Sequence, residues 1–233
     1  MRIAMWSGPR NLSTAMMYSF AARTDCDVMD EPFYAAYLSA TGIEHPMGDE
    51  IIAAGQADMG KVIAQCTANP GTGRISYQKH MCHHMIDGFD QSWLAQMVNV
   101  FLIRHPARVL ASYAAKRENP TLTDIGFAIQ RDMMRANPAA PVIDSANIRA
   151  APEDALRALC DAIGIEFDPA MLSWPSGGHA SDGVWAKHWY GAVWNSTGFA
   201  GPEGDLPDVA DAHRDTFQAA MDCYEEMSAR ALS

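Results

Sequence analysis

The residues from Ile3 to Arg23, Ile-Ala-Met-Trp-Ser-Gly-Pro-Arg-Asn-Leu-Ser-Thr-Ala-Met-Met-Tyr-Ser-Phe-Ala-Ala-Arg, constrain the fold of this chain more than any other stretch. A short apolar run that stops at Gly8-Pro9 and resumes with helical spacing predicts a strand, a tight loop and a helix N-terminus, in that order. This is a phosphate-binding arrangement. Unpaired N–H groups of a first helical turn, with the positive end of the helix dipole, converge on an anion held in the loop. Arg10 adds a planar fork of donors, and Ser13 and Thr14 add hydroxyls. The stretch is not the Gly-x4-Gly-Lys-Ser/Thr cradle of a nucleoside triphosphate. With Thr14 as the last hydroxyl of that pattern, Ser13 stands at the lysine and Leu12 at the second glycine. The loop therefore suits a 5′-phosphate better than a magnesium-bound β,γ-phosphate. Taken alone, a plain turn capped by Asn or Ser explains it equally well.

Four more strands are predicted. Cys26 to Glu31 stops at Pro32, which cannot continue a ladder, and Arg74 to His80 follows the loop Asn69 to Gly73. Val98 to Ile103 is apolar enough for both faces to be buried, as in a central parallel strand, and Val142 to Asp144 is a weaker fifth. Helical spacing covers Asp49 to Ala68, Ala107 to Lys116, Pro152 to Ile163 with Gly164 as the exit, and an acidic stretch from about Leu206 to Ala231. Strands alternating with helices predict an α/β fold, a three-layer α/β/α P-loop (nucleotide-kinase-like) sandwich around a five-stranded parallel sheet. Ligands of such sheets bind at the C-terminal strand edge. That edge is where Asp30, Glu31, Lys79 and His80 are expected. Trp174 to Gly204 lacks periodicity and reads as a functional loop, its aromatic residues serving as a satellite core or as a substrate clamp.

The 233 residues, 48% hydrophobic, suit one domain over 1–233. A net charge of −11 argues against a broad nucleic-acid or anionic-membrane surface. The five cysteines form no Cys-x-x-Cys pair, which points away from a disulfide framework or zinc knuckle and toward a reducing compartment. His83 and His84 beside Cys82 lack the spacing of a usual zinc site, so no metal is expected. No leader pattern and no apolar run of about 18 residues are present, and a soluble, cytoplasmic protein is expected.

Arg104 ends the fourth predicted strand, and Ser112 lies eight residues on, two turns into the next helix, so both side chains can hold one anion. A strand-ending arginine with an acidic partner, and a serine packed in a helix, are the bland alternative. The combination of Pro9-Arg10-Asn11-Leu12-Ser13-Thr14 with Arg104-x-Pro106-x5-Ser112-Tyr113 resembles the nucleotide site of sulfotransferases that use 3′-phosphoadenosine 5′-phosphosulfate (PAPS). The family patterns are Pro-Lys-Ser-Gly-Thr-Thr and Arg-x-Pro-x5-Ser-Tyr. Arg10 departs from a lysine, and Leu12 from a glycine at a point of close backbone approach. Asp182 to Trp189 is similar to the family's Gly-Asp-Trp-Lys-x-x-Phe loop over the nucleotide. Asp30-Glu31-Pro32-Phe33, Lys79-His80-Met81-x-His83-His84 and Ser196-Thr197-Gly198-Phe199 resemble a small bacterial branch, members of which also occur fused to an aminotransferase-like domain. A chain of 233 residues used over its whole length leaves no room for that domain.

The resemblance implies sulfuryl transfer from PAPS to a hydroxyl or amine of a small-molecule acceptor. It implies that Gly8, Pro9, Arg10, Asn11, Leu12, Ser13 and Thr14 hold the 5′-phosphosulfate, that Arg104 and Ser112 hold the 3′-phosphate, and that Lys187 belongs to the covering loop. The chemistry needs positioning, charge neutralisation and removal of one proton, and no obligatory metal. Arg10 and Lys79 suit the developing charge. Glu31 and His80 are the candidate bases, and Asp30 beside Glu31 can raise its pKa; family branches use either residue type, and Glu31 is preferred because the branch with Asp-Glu-Pro-Phe resembles bacterial members with a glutamate base. A P-loop small-molecule or nucleoside kinase, and a catalytically silent nucleotide-binding module, are the competing readings. Acceptor identity is not legible, and a homodimer is compatible with the sequence.

Overall fold

The computed structural model describes residues 1–115 and 120–232. Five strands, β1 (Arg2–Ser7), β2 (Cys26–Asp30), β3 (Ile75–Met81), β4 (Val98–Ile103) and β5 (Val142–Asp144), form one parallel sheet in the order β2-β3-β1-β4-β5. The helices are α1 (Ser13–Ala21), α2 (Tyr34–Thr41), α3 (Gly48–Ala54), α4 (Met59–Cys66), α5 (Pro106–Ala114), α6 (Leu122–Ile125), α7 (Phe127–Ala136), α8 (Ser145–Ala150), α9 (Pro152–Ile163), α10 (Ala186–Trp189), α11 (Gly191–Trp194) and α12 (Arg214–Ser228). The architecture is the α/β one expected, a parallel five-stranded sheet between helical layers.

Alternation along β1 divides the core. Ile3 and Met5 face α1 and α9 with Phe20, Tyr77 and Leu159, while Ala4 and Trp6 face α4, α5, α7 and α12 with Trp93, Phe101, Val109 and Phe127. All five cysteines are buried free thiols. Among the described residues, no helix is long and apolar enough to cross a membrane.

β1 lies between β3 and β4, so the chain leaves it toward one half of the sheet and later crosses to the other. This reversal opens a crevice at the C-terminal ends of β1, β3 and β4.

Two predicted elements differ, and the expected end of a third lies outside the described residues. The helix expected over 49–68 is two helices, α3 and α4. Gly55 packs so closely on α2 that a Cβ there would sit 2.6 Å from Ala35 Cβ, and Asp58 restarts the helix by accepting a bond from the Lys61 amide at 3.0 Å. The closing helix begins at Arg214, because Pro207 and a 3₁₀ turn at Asp211–His213 occupy the stretch before it. The helix expected to end at Lys116 is α5, which runs to Ala114 with Ala115 as its C-cap, and Lys116 lies outside the described residues.

Candidate active site

The loop from Gly8 to Thr14 joins β1 to α1. Gly8 is needed for close approach: a Cβ there would lie 2.4 Å from the Ile125 carbonyl oxygen. Arg10 (φ 63°) and Leu12 (φ 69°) both adopt the left-handed conformation, which costs a side-chain-bearing residue about 1–2 kcal/mol. Such residues turn backbone amides inward, as in anion-binding nests. Leu12 at the N-cap offers α1 no side-chain bond, so the first-turn amides keep their capacity for an anion. Arg10 Nε donates to Ser112 Oγ at 2.8 Å, and Arg104 Nη1 donates to the Arg10 carbonyl at 2.7 Å. Two motifs 94 to 102 residues apart thus interlock. Burial, reinforced by the charge of Arg104, lowers the Arg10 pKa. Asn11 donates to the Leu102 carbonyl at 3.2 Å and leaves Oδ1 buried without a partner.

A cavity of about 240 Å³ runs from this loop to the end of β3. Its walls include Pro9 to Thr14, Arg104, Ser112, Glu31, Lys79, His83, His84, Trp189 and Tyr190. Lys79 Nζ donates to Asp30 Oδ1 at 2.9 Å, to Glu31 Oε1 at 2.6 Å and to Tyr190 Oη. The Tyr190 hydroxyl donates to Asp30 at 2.9 Å. Two buried carboxylates share one ammonium, so the cluster carries one surplus negative charge. The Lys79 pKa rises: burial pulls it down, and Asp30 and Glu31 together outweigh that pull. Glu31 takes the surplus. Burial raises its pKa, Lys79 opposes this, and Asp30 adds to it. Glu31 itself adopts a left-handed φ of 41°, and its amide donates to the Lys79 carbonyl at 2.9 Å.

A model of the sulfotransferase domain matches residues 1–231. The chain belongs to the sulfotransferase domain family. Branched-chain-amino-acid aminotransferase-like proteins 1 and 2 of Arabidopsis thaliana are 34% and 33% identical over 226 residues, which are 95% of this chain and 40% of each relative. The chain therefore spans less than half of the curated relatives it matches. Among solved structures, the sulfotransferase domain of the Curacin biosynthetic pathway gives a TM-score of 0.55 at 15% identity, covering 97% of both chains. The sulfotransferase domain of the Synechococcus olefin synthase gives 0.52 at 18%, covering 95% of this chain and 93% of its own. A sulfotransferase from Alicyclobacillus acidocaldarius gives 0.54 at 10%, covering 99% and 96%. These neighbours establish a P-loop-like sulfotransferase fold.

Within that fold, His80 does not reach the cavity, contrary to the expectation that β3 delivers Lys79 and His80 to one place. Successive strand residues face opposite sides of a sheet, and Lys79 takes the cavity side. His80 pairs in register with Trp6, stacks on its ring at a centroid distance of 4.4 Å, and lies 3.1 Å from Gln78 Oε1 through Nε2. Burial lowers its pKa to about 3. Lys187 is exposed on α10 and is not a cavity residue; Trp189 and Tyr190 line the cavity from the same segment. Gly8 shapes the loop from behind rather than lining the cavity.

His84 reaches the cavity instead. Its ring is stacked between Tyr34 and Tyr37, at 4.6 and 4.8 Å, and its Nε2 lies 4.0 Å from Glu31 Oε2. Burial, then the neighbouring His83 imidazole and the Lys79 ammonium, hold its pKa well below the ordinary value. Among the described residues no group of three or more His, Cys, Asp or Glu could hold a metal ion.

The 174–204 segment serves as both satellite core and wall. Trp174 packs in the main core, while Trp185 and Tyr190 join a small cluster with Tyr34 and Ile51. Two carboxylates pin the segment. Asp30 accepts from the Gly183 amide at 3.1 Å, and Asp182 accepts from Tyr18 Oη at 2.7 Å and Trp194 Nε1 at 2.9 Å. Tyr190 has a polar role that aromatic composition does not disclose.

Proposed function

We propose that residues 1–233 form one PAPS-dependent sulfotransferase unit acting on a hydroxyl or amine of a small molecule. One observation carries the reading: a single cavity is bordered at one end by an uncapped helix N-terminus with Arg10, Arg104 and Ser112, and at the other by Glu31 on Lys79. The residues fit the nucleotide, since uncapped amides and guanidiniums suit its phosphates. Bound there, PAPS would supply the sulfuryl group and a phosphate leaving group.

The loop amides, Arg10, Ser13 and Thr14 hold the 5′ end, and Arg104 with Ser112 holds the 3′-phosphate. Arg10 and Lys79 offset charge that grows on the leaving oxygen and the sulfuryl oxygens, each such preorganised donor contributing about 3 kcal/mol. Lys79 stays charged because two carboxylates surround it. Glu31 takes the acceptor's proton. A buried carboxylate with a raised pKa is a better match for that task than an exposed one. His84 Nε2, 4.0 Å from Glu31 Oε2, helps orient the acceptor beside it.

Thermal unfolding tests the reading. Adenosine 3′,5′-bisphosphate at about 100 times its Kd should stabilise the protein by about 2.7 kcal/mol, with or without chelator. Stabilisation by ATP that requires magnesium, and none by the bisphosphate, would support a kinase instead.

A further inference from the structure

Arg104 already holds an anion, one supplied by the chain. Glu203 lies in a run from 200 to 206 whose other residues are all exposed, yet its side chain is only 5% exposed. Its Oε1 accepts from Arg104 Nη2 and, at 2.9 Å, from Arg149 Nη1; its Oε2 lies 3.0 Å from Arg108 Nε. Burial opposes its ionisation, and the three arginines more than overcome this, holding its pKa below the ordinary value.

Two features distinguish this from an ordinary anchor. The charge is unbalanced, with three guanidiniums facing one carboxylate, so the site retains a surplus of two positive charges. A phosphomonoester dianion would neutralise it better than Glu203 does. The segment is also lightly attached. It has no regular secondary structure, Gly201 and Gly204 border open space, and its ties here are bonds from the same arginines, Arg149 to the Gly201 carbonyl at 2.9 Å and Arg108 to the Gly204 carbonyl.

We propose that the Glu203 carboxylate stands in for a phosphate: Arg104, Arg108 and Arg149 form an anion seat that a phosphomonoester enters by displacing Glu203, so the 200–206 segment swings outward as a nucleotide binds. This rests on the sulfotransferase reading, in which the entering group is the 3′-phosphate. Glu203 then sets nucleotide selectivity. A ligand without a 3′-phosphate leaves the internal pair intact, whereas one with it must break that pair, so native selectivity for the bisphosphate is smaller than the seat could deliver.

The test compares the native protein with Glu203→Gln. Inorganic phosphate, followed by thermal unfolding, should bind the variant at least about 10-fold more tightly, the difference expected of one charge-assisted contact. Calorimetry should show the ratio of adenosine 3′,5′-bisphosphate to 5′-AMP affinity widening by a similar factor. Equal phosphate affinity in the two proteins overturns the proposal. If phosphate discriminates between the proteins and neither nucleotide binds, the seat stands and the PAPS reading falls. If native protein prefers the bisphosphate and Glu203→Gln leaves both the ratio and phosphate binding unchanged, the PAPS reading stands and the stand-in falls. Should Glu203→Gln fail to fold, Glu203→Asp, which keeps the charge but retracts it, should show a smaller tightening. Hydrogen exchange on the native protein gives an independent arm: saturating bisphosphate should speed exchange at Gly201 and Glu203 to Leu206 while slowing it at Arg10 to Thr14. Slowed exchange in both segments would overturn the displacement.

Discussion

The acidic cluster on the cavity wall and an arginine cluster that reaches the cavity through Arg104 are built from the same interaction with opposite imbalance. At the end of β3, Asp30 and Glu31 share the single cation of Lys79; beside the loop, Arg104, Arg108 and Arg149 share the single anion of Glu203. A matched buried pair would be inert. An unmatched one stores a preference, and here the acidic end prefers to gain a proton while the basic end prefers to gain negative charge. Arg104 is the residue that carries the basic preference to the cavity, opposite Glu31 and Lys79.

The largest expected effect breaks the acidic end. Glu31→Gln leaves Lys79 with one carboxylate, a balanced pair, so turnover should fall about 10²- to 10⁴-fold while nucleotide affinity holds. The pH dependence sharpens this. Because the folded-state pKa of Glu31 is raised, its contribution to stability is present below the ordinary carboxylate value and is lost as pH rises through the raised one. Denaturant titrations should therefore find Glu31→Gln as stable as the native protein in acid and more stable near neutrality. Turnover of the native enzyme should rise over the same interval and that of the variant should not. A variant that is less stable at neutral pH would show that Glu31 acts as a matched structural partner.

At the basic end the expected effect is smaller. Arg104→Ala should weaken adenosine 3′,5′-bisphosphate by about 10- to 100-fold and 5′-AMP far less, measured by calorimetry. Equal weakening of both nucleotides would mean that Arg104 acts only through the Arg10 carbonyl and the loop.

The smallest effect concerns the loop between the two ends. Leu12→Gly relieves a left-handed residue but gives up a side chain packed on the α1 face of the core and adds backbone freedom to the unfolded chain. The opposing contributions should leave stability within about 1 kcal/mol. A loss of several kcal/mol would show that Leu12 belongs chiefly to the core.

Local patterns were legible wherever one element expresses one rule. β4 and β5 lie where their apolar runs predicted, and α9 runs from Pro152 to Ile163 because proline opens it and Gly164, at φ 75°, closes it. The 49–68 stretch misled because helical spacing says nothing about Ala35, whose approach to Gly55 helps keep α3 and α4 apart. The loop's place between β1 and α1 was readable from Gly8-Pro9 and the helical spacing after it, but its left-handed Leu12 was not, since packing holds a conformation that the residue alone disfavours.

By itself, the sequence determined the strand-loop-helix opening and the parallel sheet, because these follow from period, turn chemistry and short-range spacing, while the family showed through the resemblance of its motifs. The tertiary structure decided which side chains share the cavity. Pleat parity sent Lys79 inward and His80 against Trp6. The long return of the chain brought Tyr190 onto Asp30 and Glu203 onto Arg104. Charges distant in sequence have no local signature, and their pairing and pKa values exist only once the fold has removed the water between them.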